Sequence, residues 1–212
     1  MKQKHFLLLM IAVASSVIAS AQATKTTFGL RAGVNFQNIN GRDINDDKLE
    51  NSLIPGFHVG VNAEIPVATE FYFQPGILFS TKGSKGYYAD EDAKVMTSYV
   101  EVPLNFLYKG GLGAGKVLLG FGPYVAYGLG GKVKDSNTGD YDIKFKNDPP
   151  TVTNDVYLKP FDAGANFLAG YEFSNKFSLQ LNAQLGLLDF NAYDNDAKLK
   201  NTGFGISAGY RF

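Results

Sequence analysis

Gly203-Phe204-Gly205-Ile206-Ser207-Ala208-Gly209-Tyr210-Arg211-Phe212 ends the sequence with a strict two-residue period. Phe204, Ile206, Ala208, Tyr210 and Phe212 fall on one side, and four glycines or small residues with Arg211 fall on the other. A helix, with its 3.6-residue turn, scatters such a set, whereas a strand sorts it onto two faces. Working back, residues 177–188 set Phe177, Leu179, Leu181, Ala183, Leu185 and Leu187 against Ser178, Gln180, Asn182 and Gln184. Residues 161–173 set Phe161, Phe167 and Tyr171 against Asp162, Asn166 and Glu172.

The same alternation recurs at 26–36, 56–65, 70–80, 97–108 and 116–128, which makes eight predicted strands. At roughly 10–13 residues each strand is long enough to cross a bilayer at a tilt. The segments between them alternate in length. Those at 37–55, 81–96, 129–159 and 189–201 are long, and those at 66–69, 109–115 and 174–176 are short. Short turns at one end and long loops at the other are what a barrel inserted from one side of a membrane displays. Pro75, Pro103 and Pro123 fall inside predicted strands. Each removes a ladder donor, and a local bulge is expected at each.

Composition narrows the class. With no cysteine, a disulfide framework, thiol catalysis and a cysteine-based zinc site are excluded. Lys2 and Lys4, the apolar run Phe6–Val13 and the small residues around Ala19-Ser20-Ala21 read as an export signal cut before Gln22. The expected division is therefore a signal peptide at 1–21 and a barrel domain at 22–212. Removing the signal takes away two lysines and no acid, so the formal charge falls from 0 to −2, and no electrostatic case for nucleic acid exists.

Alternation alone does not say which face is inside. The polar face carries Arg31, His58, Glu64, Glu101, Asp162, Glu172 and Arg211 together with many Asn and Gln. It is rich in hydrogen-bonding groups of both signs and poor in the lysines of a water-facing surface. The apolar face is aromatic near strand ends, at Phe36, Phe57, Tyr108, Tyr127, Tyr171, Phe173, Phe177 and Tyr210. Aromatic girdles of that kind mark the two interfaces of a membrane barrel. The expected fold is thus all-β, an eight-stranded antiparallel up-and-down transmembrane β-barrel with its apolar face toward lipid. A barrel of eight strands is just wide enough for its interior to fill with side chains. The seven charged or titratable residues are expected to form an interior polar network whose charges are paired.

Phe28-Gly-Leu-Arg-Ala-Gly-Val-Asn-Phe36, Phe71-Tyr-Phe-Gln-Pro-Gly-Ile-Leu-Phe79 and Tyr99-Val-Glu-Val-Pro-Leu-Asn-Phe-Leu-Tyr108 resemble segments of the outer-membrane β-barrel domain family of Bacteroidetes-type bacteria, whose members are often called porin-like. Phe121-Gly-Pro-Tyr124, Asp162-Ala-Gly-Ala165 and Gly209-Tyr-Arg-Phe212 fit the same pattern, so that the resemblance spans about residues 26–212. It implies a barrel in the cell outer membrane, contact with outer-membrane lipid, and recognition of Tyr210 and Phe212 by the barrel-insertion machinery. It brings no catalytic residue, cofactor or substrate.

Chemistry-bearing clusters are sparse. His58 has no serine or aspartate constellation around it in the sequence, and no enzymatic activity is expected. Asp43-Ile-Asn-Asp-Asp47 lacks the glycine and terminal glutamate of a calcium loop, having Lys48 and Ile54 at those positions. No metal or other cofactor is expected. The segment 129–159, with Tyr141, Phe145 and Pro149-Pro150, is the largest outer loop and the first place to look for a ligand or a β-extension above the membrane. The function expected is a structural or interaction role through outer loops, the alternative being a narrow porin-like channel for small polar solutes or ions.

Overall fold

The computed structural model describes residues 25–87, 90–135, 139–150 and 155–212. The expected signal peptide lies outside the described residues. The ten strands are β1 (Thr27–Arg42), β2 (Ile54–Ala68), β3 (Phe71–Tyr87), β4 (Asp90–Leu112), β5 (Gly115–Lys134), β6 (Tyr141–Phe145), β7 (Val156–Leu158), β8 (Phe161–Glu172), β9 (Phe177–Gly186) and β10 (Lys198–Arg211). Their hydrogen-bonded order is β4-β3-β2-β1-β10-β9-β8-β5-β6-β7, and β4 also pairs with β5. Eight strands therefore form a closed antiparallel ring, with no free edge. The two beyond the eight counted in the sequence, β6 and β7, pair parallel to each other and hang from the outer end of β5, as a β-extension of the kind the sequence allowed there. They lie in the segment 129–159.

The ring is turned inside out relative to a water-soluble barrel. Phe28, Leu30, Val34, Val61, Phe121, Phe167, Leu181, Ile206 and Phe212 are exposed, while Asn35, His58, Glu64, Glu101, Asn105, Asp162 and Ser207 are buried. The exposed apolar stripe is edged by two sets of touching aromatic pairs. Phe36–Phe204, Phe57–Phe79 and Tyr127–Phe161 lie toward the long-loop end. Phe71–Tyr108, Tyr171–Phe173 and Tyr210–Phe212 lie toward the short-turn end. In hydrocarbon an open backbone donor or acceptor costs several kcal/mol, and closing the ring removes the row of them that a free strand edge would expose. Among the described residues no helix is long and apolar enough to cross a membrane.

Three expectations are corrected. The segment expected as a loop at 81–96 is instead mostly strand, with β3 and β4 paired as far as Tyr87↔Asp90. Beyond the outer girdle the pleat continues but its polarity reverses. Ile39, Val95, Val133 and Leu199 now face inward and pack with Ile143, Leu158 and Phe190, because the medium outside this part is water. A pattern read as apolar-outward stops there, though the strand does not. The strand count is corrected for the same reason, β6 and β7 being folded against this upper apolar cluster.

The expected bulges at the prolines are absent. Pairing runs in unchanged register from Pro75↔Leu104 to Leu78↔Glu101, and from Pro103↔Tyr124 to Phe106↔Phe121. The missing donors leave short gaps in the ladder instead of inserted residues. The register shift in the β4–β5 pair sits higher, between Ser98↔Gly130 and Tyr99↔Gly128. The extra residue there, Leu129, switches β5 so that Val133 turns inward and Lys132 and Lys134 turn out.

Candidate functional site

The inward side chains form layers along the barrel axis. At the short-turn end Glu64 accepts from Arg211 Nη2 at 2.6 Å and from Lys109 Nζ at 2.8 Å. The same ammonium donates to Glu172 at 2.8 Å, and Gln74 Nε2 donates to Glu64 at 3.2 Å. Arg211 takes this place because β1 presents Gly29 opposite it. A side chain at Gly29 would lie 2.9 Å from the guanidinium carbon. Above this cluster Leu107, Leu118 and Leu168 pack together with Tyr72, an apolar collar inside a polar lumen.

The middle layer is a hydrogen-bonded web. His58 Nε2 and Ser207 Oγ lie 3.0 Å apart, Asn182 also donates to Ser207, and Arg31 Nη1 reaches Asn182 at 3.5 Å. Gln184 donates to both Glu101 and Asn166. Between these groups lies a cavity of about 30 Å³ lined by Arg31, Asn35, His58, Glu101, Asn105 and Asn166. That is room for two or so water molecules.

The upper layer centres on Lys82. Its ammonium lies 3.1 Å from Glu101 and 3.1 Å from Asp162, and the three side chains are 0–1% exposed. Asp162 also accepts from Tyr124 at 3.2 Å and from Asn201 at 2.9 Å. The Tyr124 ring lies 4.4 Å from the ammonium and the Tyr99 ring 5.4 Å, within cation–π range. Phe145 of β6 meets the edge of Tyr99 with centroids 5.3 Å apart. The strand outside the ring is thus stacked on top of the charged clamp, and the apolar cluster of Ile39, Val95, Val133, Ile143, Leu158, Phe190 and Leu199 closes the end above it.

All seven residues singled out from the sequence lie on inward positions of the ring, in separate layers. Arg211, Glu64 and Glu172 meet in the lowest, Arg31 and His58 in the middle, and Glu101 joins Asp162 in the highest. Two cations were missed. Lys82 and Lys109 sit one or two residues beyond the predicted ends at 80 and 108, where the outward apolar signal fades. Continuing the inward period through Gln74, Leu78, Ser80 and Lys82, or through Glu101, Asn105, Leu107 and Lys109, would have found both. Outside the lumen, the acidic run Asp43–Asp47 is a turn whose first carboxylate accepts from the amides of Asn45 and Asp47.

A closed ring with an apolar outer band, aromatic girdles and charged residues inside defines a membrane-spanning β-barrel. The chain belongs to the outer membrane protein beta-barrel domain family, which it matches over residues 20–191. It is an outer-membrane protein of the Gram-negative envelope. No curated protein matches it in sequence. Similar solved structures include Neisserial surface protein A, with 11% identity, 89% of this chain and 100% of that one covered, and a TM-score of 0.48. OprG from Pseudomonas aeruginosa has 12% identity over 88% and 95% of the two chains, with a TM-score of 0.45. Ail of Yersinia pestis, solved with the heparin analogue sucrose octasulfate, has 12% identity over 89% and 100%, with a TM-score of 0.44.

Proposed function

We propose that this protein is a non-conducting, eight-strand transmembrane anchor, without enzymatic activity, that presents its outer module for interaction at the cell surface. The carrying observation is the Lys82 clamp. A fully buried cation held by Glu101 and Asp162 and covered by two tyrosine rings blocks the lumen at one level. The Glu64–Lys109–Glu172–Arg211 cluster lies at another. The cavity between them is far smaller than a hydrated solute path requires. In this reading Arg31, His58, Glu64, Glu101, Asp162, Glu172 and Arg211 serve the packing of the lumen, and β6, β7 and the surrounding segment 129–159 carry the contact with any partner.

Planar-bilayer recording tests it. Folded protein is expected to give no single-channel steps, and reproducible steps from the wild type would assign the alternative, a narrow channel for small ions or polar solutes.

We further infer that residues 1–21 are a cleaved export signal and that Tyr210 and Phe212 address the chain to the barrel-insertion machinery. Phe212 lies at the short-turn end, its amide donating to Phe28 at 2.9 Å and its ring 5.5 Å from that of Tyr210. Deleting Phe212 is expected to leave refolding into lipid vesicles intact while sharply lowering the amount inserted in cells. Equal loss in both assays would assign Phe212 to barrel stability alone.

A further inference from the structure

The outer surface of the tall β3–β4–β5 wall carries an arrangement that the anchor role does not use. Lys85 stands directly opposite Lys94, and Lys94 directly opposite Lys134. Lys132 lies two residues below Lys134 on the same outward face, opposite Met96. Like charges placed directly across a ladder repel, and a sheet keeps such a row only against an opposing gain. The acids nearby offset part of it, Asp92 meeting Lys85 at 2.9 Å and Asp142 meeting Lys132 at 3.8 Å. That leaves two more cations than carboxylates among these six.

Just below this row the wall is indented. The β2–β3 ladder ends at His58↔Ser80, and above it Thr81 stands in for backbone pairing, its hydroxyl accepting from the Phe57 amide at 2.9 Å. The result is an indentation of about 520 Å³ whose outward lining is Pro55, Phe57, Thr81, Met96, Ser98 and Lys132 and whose back reaches the buried Gln37, Lys82 and Thr97. Its apolar end is continuous with the outer aromatic girdle through the Phe57–Phe79 pair, and its charged end is Lys132. The groove therefore straddles the level at which lipid chains give way to head groups.

We propose that this groove and the row Lys94, Lys132 and Lys134 form a docking site for a phosphorylated glycolipid of the outer leaflet. An acyl chain lies against Phe57 and Pro55, and its phosphates sit on the three ammonium groups. Charge complementarity and the join with the lipid-facing girdle select this occupant over a soluble polyanion, which has no use for the apolar end.

Native mass spectrometry of the folded protein in neutral detergent tests the site with bisphosphorylated lipid A as probe. The wild type is expected to retain one lipid, and the K94Q/K132Q/K134Q variant to retain at least about tenfold less, each surface cation contributing to anionic-lipid attraction. K198Q/K200Q, at the same end but across the ring on β10, is expected to retain as much as wild type. Equal retention by the K94Q/K132Q/K134Q variant, or equal retention of dephosphorylated lipid A, would overturn the proposal. Inositol hexakisphosphate displacing the lipid at equal concentration would also overturn it, by assigning the lysines to a soluble polyanion. Heat-dependent gel mobility confirms folding of each variant. Should the triple variant not fold, wild type decides alone. Retention lost at high salt and absent for the dephosphorylated lipid supports the site, and retention indifferent to both removes it.

Discussion

Replacement of Lys82 by methionine is expected to destabilise the folded barrel by about 3–5 kcal/mol, because it leaves buried carboxylates without their counter-ion. Lys82, Glu101 and Asp162 have side chains 0–1% exposed, so water cannot take the place of the ammonium. Asp162 retains Tyr124 and Asn201 as donors, and Glu101 retains Gln184, but these neutral partners do not cancel the charge. The measurement is urea unfolding in lipid vesicles, followed by the mobility difference between heated and unheated protein. The triple variant K82M/E101Q/D162N is expected to recover most of the loss, since removing all the buried charges together also removes their desolvation cost. An unfolding midpoint for K82M equal to wild type would show that the clamp is not a buried ion pair in solution.

The second large effect lies on the opposite face. Leu181 is 61% exposed, on β9 between Ala169 and Ile206 of its neighbours and within the apolar band between the girdles. Leu181→Arg is expected to cost about 2–4 kcal/mol when the protein is folded in a bilayer. For a barrel standing in water the same change would fall within the small range typical of surface substitutions. The adjacent inward position, Asn182, is the internal comparison, because a polar replacement there stays in a polar lumen. Equal stability of L181R and wild type in vesicles would remove this face from the lipid.

The outward face was legible in the sequence because one medium, lipid, dictates every second residue from Phe28 to Phe36 and from Phe204 to Phe212. The inward set was largely legible too, as the complement of that stripe. Which charges meet was less so. Arg211 does join Glu64, but Arg31, for which a carboxylate partner was expected, faces Glu101 across the middle cavity without a direct ion pair among the described residues, and its hydrogen bond goes to Asn182 at 3.5 Å. Pairing across a ring depends on the stagger of strands distant in sequence, and no local pattern encodes it. The outer wall was missed because its period remains two while its polarity changes, so that Lys85, Lys94 and Lys134 look like loop residues when judged by a lipid-facing rule. The prolines misled in the other direction. A missing amide requires a gap in the ladder, not an extra residue, and the register of β3, β4 and β5 passes through unaltered.

The reversal of polarity along single strands has a consequence for the protein's stance in its membrane. On β1 the inward residue changes from Gln37 to Ile39, and on β10 from Asn201 to Leu199, within one step of the pleat. These strands carry a waterline written into them. A vertical slip of two residues, about 5 Å for a tilted strand, would push the outward Asn38 and Asn40 into hydrocarbon or lift Phe36 and Phe204 into water. The barrel is therefore pinned at one draught, and a bilayer of different thickness must adjust to the protein rather than the reverse.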